Sequence, residues 1–232
     1  MKATMKKEVM QTIYNASQAI KATDIPIECS AGGWEIKMVD PAHVAMVSME
    51  VLGDAFTDYD MEDCKLCIPA TKLKSMLAVM GDDIEMTVNE GRITMKSGSI
   101  RRSTQSEVMD DKNVRVPDVD LPNVATIDLS DMRRTFTTSG EFTDHVTFRM
   151  GADGMLVSAQ GDVDELSWEC PTAVSADGES HSASYTLDYI VDALRNLPTT
   201  VTLRMSDDYP LVLEANEPFH LRYILAPRIE SD

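Results

Sequence analysis

The sequence predicts an α+β fold built from two similar halves, and two observations carry that prediction. A strand, turn, strand pattern opened by a glycine occurs twice, first at Gly33 and again at Gly154. A short amphipathic helix followed by an alternating strand also occurs twice, at 69–88 and at 185–205. Self-similarity at a spacing of about half the chain indicates an internal duplication of one helix-and-sheet unit.

Length and composition fit two compact domains. The chain has 232 residues, of which 43% are hydrophobic. No run approaches the roughly 18 apolar residues of a membrane-spanning helix, and the first residues lack the apolar core of a secretory signal. We therefore expect a cytoplasmic protein with an N-terminal domain at 1–108, a connector at 109–123 and a C-terminal domain at 124–232.

The predicted connector has the sequence MDDKNVRVPDVDLPN. Pro117 and Pro122 hold its backbone extended and remove two hydrogen-bond donors. Apolar residues alternate with polar ones along it, namely Val114, Val116, Val119 and Leu121. A linker that is fully solvated has no need of an apolar edge. We therefore expect another polypeptide segment to pack against the apolar edge of the connector.

Four amphipathic helices are predicted from apolar residues at helical spacing. They span 6–21, 71–80, 131–138 and 187–195. Ser130 is the expected N-cap of the third helix, and Thr186 that of the fourth. These ranges hold eight basic and four acidic residues, although the whole chain has a net charge of −18. The polar faces of the helices are therefore predicted to be basic in an otherwise acidic protein.

Strands are predicted wherever apolar residues alternate or run together. In the N-terminal half they are 25–30, 34–39, 44–51, 84–88, 92–96 and 100–108. In the C-terminal half they are 145–150, 156–159, 165–170, 172–181, 201–205, 211–215 and 219–225. The segments 84–88 and 92–96 are predicted to form a hairpin across the Asn89-Glu90-Gly91 turn. The segments 100–108 and 172–181 are polar, which is typical of a sheet edge that is either defended or used for assembly.

The four cysteines do not form a metal-binding pattern. They are Cys29, Cys64, Cys67 and Cys170, with one C-x-x-C pair at 64 and 67. A zinc site would need further ligands at matching spacing, and the sequence has no second pair. Alternation around Cys64 predicts a strand that places these two thiols on opposite faces. We expect ordinary thiols, no metal and no cofactor.

Two other classes of protein, a metal-dependent enzyme and an acidic DNA mimic, fit the sequence less well. The pairs Asp110-Asp111 and Asp207-Asp208 could serve a metal-dependent enzyme, but neither accompanies a His, a Lys or a glycine-rich phosphate loop. We therefore expect no catalytic residues. An acidic interaction protein that mimics DNA fits the net charge alone. Such a mimic would carry acids on the helical faces where this chain carries bases.

Four motifs follow one another along the chain: MVDPAHVAMV at 38–47, SAQGDVDE at 158–165, DDYPLVLE at 207–214 and YILAPRIE at 223–230. In sequence and spacing they resemble the archaeal and eukaryotic sliding clamps, the proliferating cell nuclear antigen (PCNA) family, over essentially the whole chain. The ending LAPRIE is similar to archaeal members, and the many acidic residues resemble those of a halophile's protein or that of its virus.

The resemblance implies two similar domains of the DNA-clamp fold, with helices inside and antiparallel sheets outside. Three subunits would form a ring around duplex DNA, and this homotrimer would act as a processivity factor in DNA replication. The DNA-facing residues implied are Lys7, Gln11, Lys72, Lys74, Arg133, Arg134 and Arg195. Family positions that are often basic are Gln11, Thr12 and Asn15 here, so weaker attraction to DNA is expected. A specialised or heterotrimeric clamp subunit stays an alternative.

The resemblance also implies a pocket and a subunit interface. The pocket would bind short apolar peptides of DNA polymerase, clamp loader, ligase and nucleases. It maps to Val39, His43, Val44, Met46, Val114, Val116, Leu121, Pro210, Ala226, Pro227 and Ile229. The interface would join the two polar edges of neighbouring subunits. It maps to Arg101, Ser103, Gln105, Glu107, Thr172, Val174 and Ala176.

Overall fold

The computed structural model describes residues 1–107, 114–117, 119, 121–170, 179–216 and 219–229. The chain divides into two compact units. The N-terminal unit comprises residues 1–41, 47–116 and 216–221, and the C-terminal unit comprises 42–46, 117–215 and 222–232. Each unit combines helices with antiparallel strands, which confirms the α+β class. The boundaries at 1–108, 109–123 and 124–232 stay predictions.

Two helices and two groups of strands form the N-terminal unit. The helices are α1 (Lys7–Ala19) and α2 (Ala70–Leu77). The strands are β1 (Lys2–Lys6), β2 (Asp24–Ser30), β3 (Gly33–Val39), β4 (Ala45–Leu52), β5 (Phe56–Asp60), β6 (Cys64–Pro69), β7 (Asp83–Asn89), β8 (Arg92–Ser97) and β9 (Ile100–Gln105). One sheet has the order β5-β1-β7-β8-β9, and the second group has the order β4-β3-β2-β6.

Helix α1 forms because its apolar residues recur on one face, as predicted. Its buried apolar residues are Val9, Met10, Ile13, Ala16 and Ala19. The predicted range 6–21 was too long at both ends. Lys6 belongs to β1, and Lys21 has a φ of 54°, a left-handed conformation that cannot continue a helix. Two of the eight predicted basic residues therefore lie outside the helices.

The hairpin predicted between 84–88 and 92–96 is confirmed as β7 and β8. Glu90 and Gly91 have φ values of 50° and 74°, and Asn89 lies opposite Arg92. Positive φ at both central residues gives the turn the twist that matches the paired strands. Gly91 adopts this conformation without strain, whereas a Cβ there would approach the Gln105 side chain to 2.8 Å.

The C-terminal unit repeats the combination of two helices with two groups of strands. The helices are α3 (Leu129–Phe136) and α4 (Leu187–Asn196). The strands are β10 (Asn123–Asp128), β11 (His145–Gly151), β12 (Gly154–Gln160), β13 (Glu165–Cys170), β14 (His181–Thr186), β15 (Thr200–Met205), β16 (Leu211–Ala215) and β17 (His220–Leu225). Their orders are β13-β12-β11-β14 and β10-β15-β16-β17. Tyr185 and Tyr223 are fully buried in this unit.

The cap predicted for the third helix was wrong by two residues. Asp128 is the N-cap of α3, and its Oδ1 accepts a hydrogen bond from the Ser130 backbone N–H at 2.7 Å. That hydrogen bond lowers the pKa of the Asp128 carboxyl. Thr186 does precede α4, as predicted, but its side chain makes no capping hydrogen bond.

The observed strands also differ from the predicted ones. The strands β1, β5 and β10 were not predicted, since each is short and carries at most two buried apolar side chains. Of the predicted strand 172–181, residues 179–181 are described, and only His181 lies in a strand, because β14 begins there and runs to Thr186. The remainder of that segment, 172–178, lies outside the described residues.

Candidate nucleic-acid interface and peptide-binding surface

The predicted DNA-facing residues of the N-terminal unit fall into two groups. Lys72 and Lys74 are exposed on α2 and form no ion pair within the described parts of the chain. Lys7 is half-buried, and its Nζ donates to the Met80 carbonyl at 3.0 Å. Gln11 Nε2 donates to Asn15 Oδ1 at 2.9 Å, so this part of α1 is an uncharged pair. Lys72 and Lys74 are therefore the cations most available to an anionic ligand.

Arg102 is a cation near α2 that the sequence did not single out. Its guanidinium Nη1 donates to the Ser75 carbonyl at 2.5 Å, although Arg102 itself lies on β9. Arg102 is opposite the buried Met95, so it points to the face of the sheet away from Arg101. Only the pairing of β9 with β8 brings it to the helix.

The basic residues of the C-terminal helices are partly engaged. Arg134 forms an ion pair with Asp131 at 2.9 Å, three residues earlier on α3. Arg133 Nε donates to the Leu194 carbonyl, which joins α3 to α4. Arg195 is exposed in the last turn of α4 and has no ion pair among the described residues. Of these three arginines, Arg195 is the most available.

The structure reduces the predicted charge contrast. Within the observed bounds, α1 and α2 hold three basic residues and one acidic residue, a surplus of two positive charges. Helices α3 and α4 hold three arginines and three aspartates, which cancel. Lys6 pairs with Asp83 at 2.7 Å outside α1. The basic bias is therefore confined to the N-terminal helices.

Two segments of the C-terminal unit meet along one strand. Asp208 N donates to Ser182 O at 3.4 Å, and Arg228 N donates to Ser184 O at 2.7 Å. Ser182 and Ser184 are two residues apart on β14, about 7 Å along a strand, and β14 is the last strand in its sheet order. The turn before Pro210 and the tail after Leu225 therefore lie side by side.

Apolar side chains collect where these segments meet. Tyr209 is 51% exposed and Ile229 is 89% exposed, both high for large apolar residues. Val44, Pro210, Ala226 and Pro227 are half-buried, and Ala226 N donates to Val44 O at 2.9 Å. We name Val44, Tyr209, Pro210, Ala226, Pro227 and Ile229 the tail surface. The sequence did not predict Tyr209 as a surface residue for binding, because a tyrosine next to Asp208 and Pro210 is typical of an ordinary turn.

The other predicted pocket residues have different environments. Met46 and Leu121 are buried at 7% and 5% exposure, so they pack in the core of the C-terminal unit. His43 is exposed and has a φ of 58°. In the N-terminal unit Val39, Val114 and Val116 are each half-buried. Their part in a pocket stays a prediction.

The predicted subunit interface is described on one side. β9 is the last strand in its sheet order, and Arg101, Ser103 and Gln105 are exposed on it. Glu107 is also exposed, but its backbone N donates to Cys67 O at 3.0 Å, so it is attached to β6. Thr172, Val174 and Ala176 lie outside the described residues. The assignment of these seven residues stays a prediction.

Comparison with known proteins identifies relatives of the whole chain. The family model described as "Proliferating cell nuclear antigen, N-terminal domain" matches residues 1–133. A DNA polymerase sliding clamp of Methanosarcina mazei is 29% identical over 247 residues, covering 100% of this chain and 99% of the relative. That of Halobacterium salinarum is 27% identical over 247 residues with the same coverage.

A solved structure shares the fold. The A. fulgidus PCNA bound to the C-terminal region of FEN-1 superposes with a TM-score of 0.89 at 24% identity, covering 100% of this chain and 99% of that one. The fold likeness confirms the predicted clamp architecture of the chain. Because the family model matches more than half of the sequence, the chain belongs to the proliferating cell nuclear antigen family.

Proposed function

We propose that this protein is a DNA sliding clamp that encircles duplex DNA and tethers DNA polymerase and other replication proteins to it. The observation that carries the proposal is the family match together with a clamp fold over the whole chain. Relatives that align along their full length are named DNA polymerase sliding clamps. The proposed function is one of binding and tethering, so we propose no catalytic role. We also propose that the protein acts in the cytoplasm. The structure has no helix, among the residues it describes, that is long and apolar enough to span a membrane.

The proposed contact with DNA is electrostatic. Lys72, Lys74 and Arg195 are exposed cations on helices, suited to phosphate oxygens rather than to base edges. Contacts with phosphates carry no sequence information, so the protein can move along the duplex. With a net charge of −18 and few available cations, direct attraction is weak, and encirclement rather than affinity retains the protein.

The proposed partner contact is the tail surface. Exposed Tyr209 and Ile229 flank a tail whose backbone is already held by hydrogen bonds to Val44 and Ser184. Short peptides with bulky apolar residues bind such surfaces through one or two anchoring side chains. The relative of known structure is bound to the C-terminal region of a FEN-1 nuclease, which is the type of partner that we propose here.

The function is tested by loading the protein on circular DNA. Protein loaded onto nicked circular DNA by a cognate clamp loader should remain bound during gel filtration and dissociate when the DNA is cut once. A protein held by encirclement alone leaves through a free end, whereas one held by affinity stays. Retention on linear DNA, or no retention on circular DNA, would contradict the proposal.

We expect the ring to be a homotrimer whose assembly depends on salt. Each chain contributes −18, and salt screens repulsion between exposed charges beyond ~10 Å at about 0.1 M. Light scattering should show the mass of three chains, with the trimeric fraction increasing with salt. A monomer at every salt concentration would contradict the homotrimer and favour a heterotrimeric subunit. An acidic DNA mimic would instead bind DNA-binding proteins and fail to remain on circular DNA.

The tail is fixed at its base by an ion pair. Arg228 Nη1 lies 2.9 Å from Asp144 Oδ2, and His145 Nδ1 lies 3.0 Å from Asp144 Oδ1. The His145 ring and the Arg228 guanidinium lower the pKa of the Asp144 carboxyl. A lowered pKa means that this contribution is present above the usual pKa of an aspartate and is lost as the pH falls through the lowered value.

We expect Asp144→Asn to weaken peptide binding a few-fold at neutral pH, because an exposed ion pair contributes little. Calorimetric titration with an apolar partner peptide measures the change. Asp153→Asn removes another exposed acid of the same unit and is the control. Equal affinities for the two variants would show that the ion pair does not position the tail.

A further inference from the structure

Two cysteines that are far apart in the sequence face each other in the N-terminal unit. Cys29 on β2 lies directly opposite Cys64 on β6, whereas Cys67 lies opposite Pro26. Cys64 and Cys67 therefore point to opposite faces of the strand, as the alternation predicted. The C-x-x-C spacing does not bring two thiols together, and the cross-strand pairing does.

The geometry of this pair is suited to a covalent bond. Residues directly opposite each other on antiparallel strands have Cα atoms about 4.5–5.5 Å apart, and a disulfide spans roughly 4.4–6.8 Å. The thiols of Cys29 and Cys64 are also in hydrogen-bonding contact with each other. A bond between the two sulfurs would therefore require little movement of either strand.

The two thiols differ in access to solvent. Cys29 is buried at 4% exposure, and Cys64 is half-buried. Burial and the neighbouring Cys64 raise the pKa of the Cys29 thiol, which keeps it protonated. Since the thiolate is the reactive form, a solvent-borne oxidant reacts first with Cys64.

We propose that Cys29 and Cys64 are a modification site, a reversible dithiol that a peroxide converts into an intramolecular disulfide. The Cys64 thiolate attacks one oxygen of hydrogen peroxide, the O–O bond breaks, and the departing hydroxide becomes water on protonation. Cys64 is then a sulfenic acid. The Cys29 sulfur attacks the Cys64 sulfur, the S–S bond forms, the S–O bond breaks, and hydroxide leaves as water with the Cys29 proton. Two thiols are oxidised by two electrons, and one peroxide is reduced to two waters.

Aromatic side chains beside the pair provide a spectroscopic signal. Trp34 on β3 lies directly opposite Cys29, so both side chains are on the same face of the sheet. The Trp34 ring packs against Phe56 with centroids 4.8 Å apart, and Phe56 packs against Tyr59 at 4.5 Å. Tyr59 Oη donates to the Ser30 carbonyl at 2.6 Å and lies 2.9 Å from the Gly33 carbonyl. A disulfide formed at Cys29 would quench the fluorescence of this fixed indole.

The test is thiol mapping of the full chain before and after treatment with hydrogen peroxide. Because Cys29, Cys67 and Cys170 are buried, labelling is done after unfolding in denaturant without reductant. Reduced protein should then react with N-ethylmaleimide at four cysteines, and oxidised protein at two. Peptide mapping without reductant should yield one cross-linked peptide that joins Cys29 to Cys64, and dithiothreitol should remove it. Cys67→Ser and Cys170→Ser should still form this cross-link, whereas Cys64→Ser should not.

Two further readouts distinguish the disulfide from other oxidation products. The bond closes a loop of roughly 35 residues, so the oxidised protein should melt about 5 °C or more above the reduced protein. In a Trp168→Phe background, the emission of Trp34 should fall on oxidation and return with dithiothreitol. The proposal is overturned if wild-type protein keeps four reactive thiols, if the cross-link contains Cys67 or Cys170 or joins two chains, or if Cys64 stops at a sulfinic acid.

Discussion

Ile229→Asp is expected to lower the affinity for an apolar partner peptide by about tenfold or more while leaving the fold intact. Burying an isoleucine side chain at an interface contributes roughly 1.5–3 kcal/mol, and about 1.4 kcal/mol corresponds to a factor of ten. Ile229 is 89% exposed in the free protein, so it contributes almost nothing to folding. The aspartate removes the apolar anchor and adds a charge that the peptide would have to desolvate.

Calorimetric titration with a peptide that carries a glutamine and bulky apolar residues measures this loss, and melting curves verify the fold. Val163→Asp is the matched control, because Val163 is 93% exposed in the same unit and the charge change is identical. Tyr209→Ala should weaken binding in the same direction as Ile229→Asp. An unchanged affinity for Ile229→Asp, or an equal loss for Val163→Asp, would place the peptide site away from the tail surface.

Reversing Lys72 and Lys74 together to glutamate is expected to weaken the electrostatic contact with DNA, and the support of primer extension, more than any other pair of helix substitutions. Both side chains are exposed and without ion pairs among the described residues, whereas Arg134 is paired with Asp131. Each lost phosphate contact lowers the salt dependence of DNA binding by about 0.9 in the logarithmic slope. We therefore expect a slope lower by roughly two per subunit that contacts DNA.

The measurement is the salt dependence of the DNA-bound fraction, together with product length in primer extension by the cognate polymerase. Arg92→Glu with Lys96→Glu is the control, since these exposed residues of β8 undergo the same change in charge. Light scattering must show that both double variants still assemble. If the Lys72 and Lys74 variant supports normal extension, α2 does not face the DNA. Arg134→Gln should have a smaller effect than Arg195→Gln.

Local sequence patterns determined where many helices and strands of this protein form. Apolar spacing predicted the cores of α1 and α4, since helical periodicity depends on residues only three or four positions apart. Alternating segments on either side of the Asn89-Glu90-Gly91 turn predicted a hairpin, and the glycine at position 91 adopts the positive φ of that turn without strain. Four ordered motifs predicted the family and hence the fold. Element ends were less predictable, as the cap at Asp128 illustrates, because aspartate and serine near a helix start serve equally well in sequence.

Tertiary structure alone decided which distant residues meet. The sequence drew attention to Cys64 and Cys67, but strand register placed Cys29 opposite Cys64. The family resemblance implied that Lys7 faces DNA, but its Nζ donates to the Met80 carbonyl, three residues after the end of α2. The segments that carry Tyr209 and Ile229 lie side by side because Asp208 and Arg228 hydrogen-bond to Ser182 and Ser184 of β14. Strand register and edge pairing depend on hydrogen bonds between residues dozens of positions apart, and no local pattern of side chains records those partners.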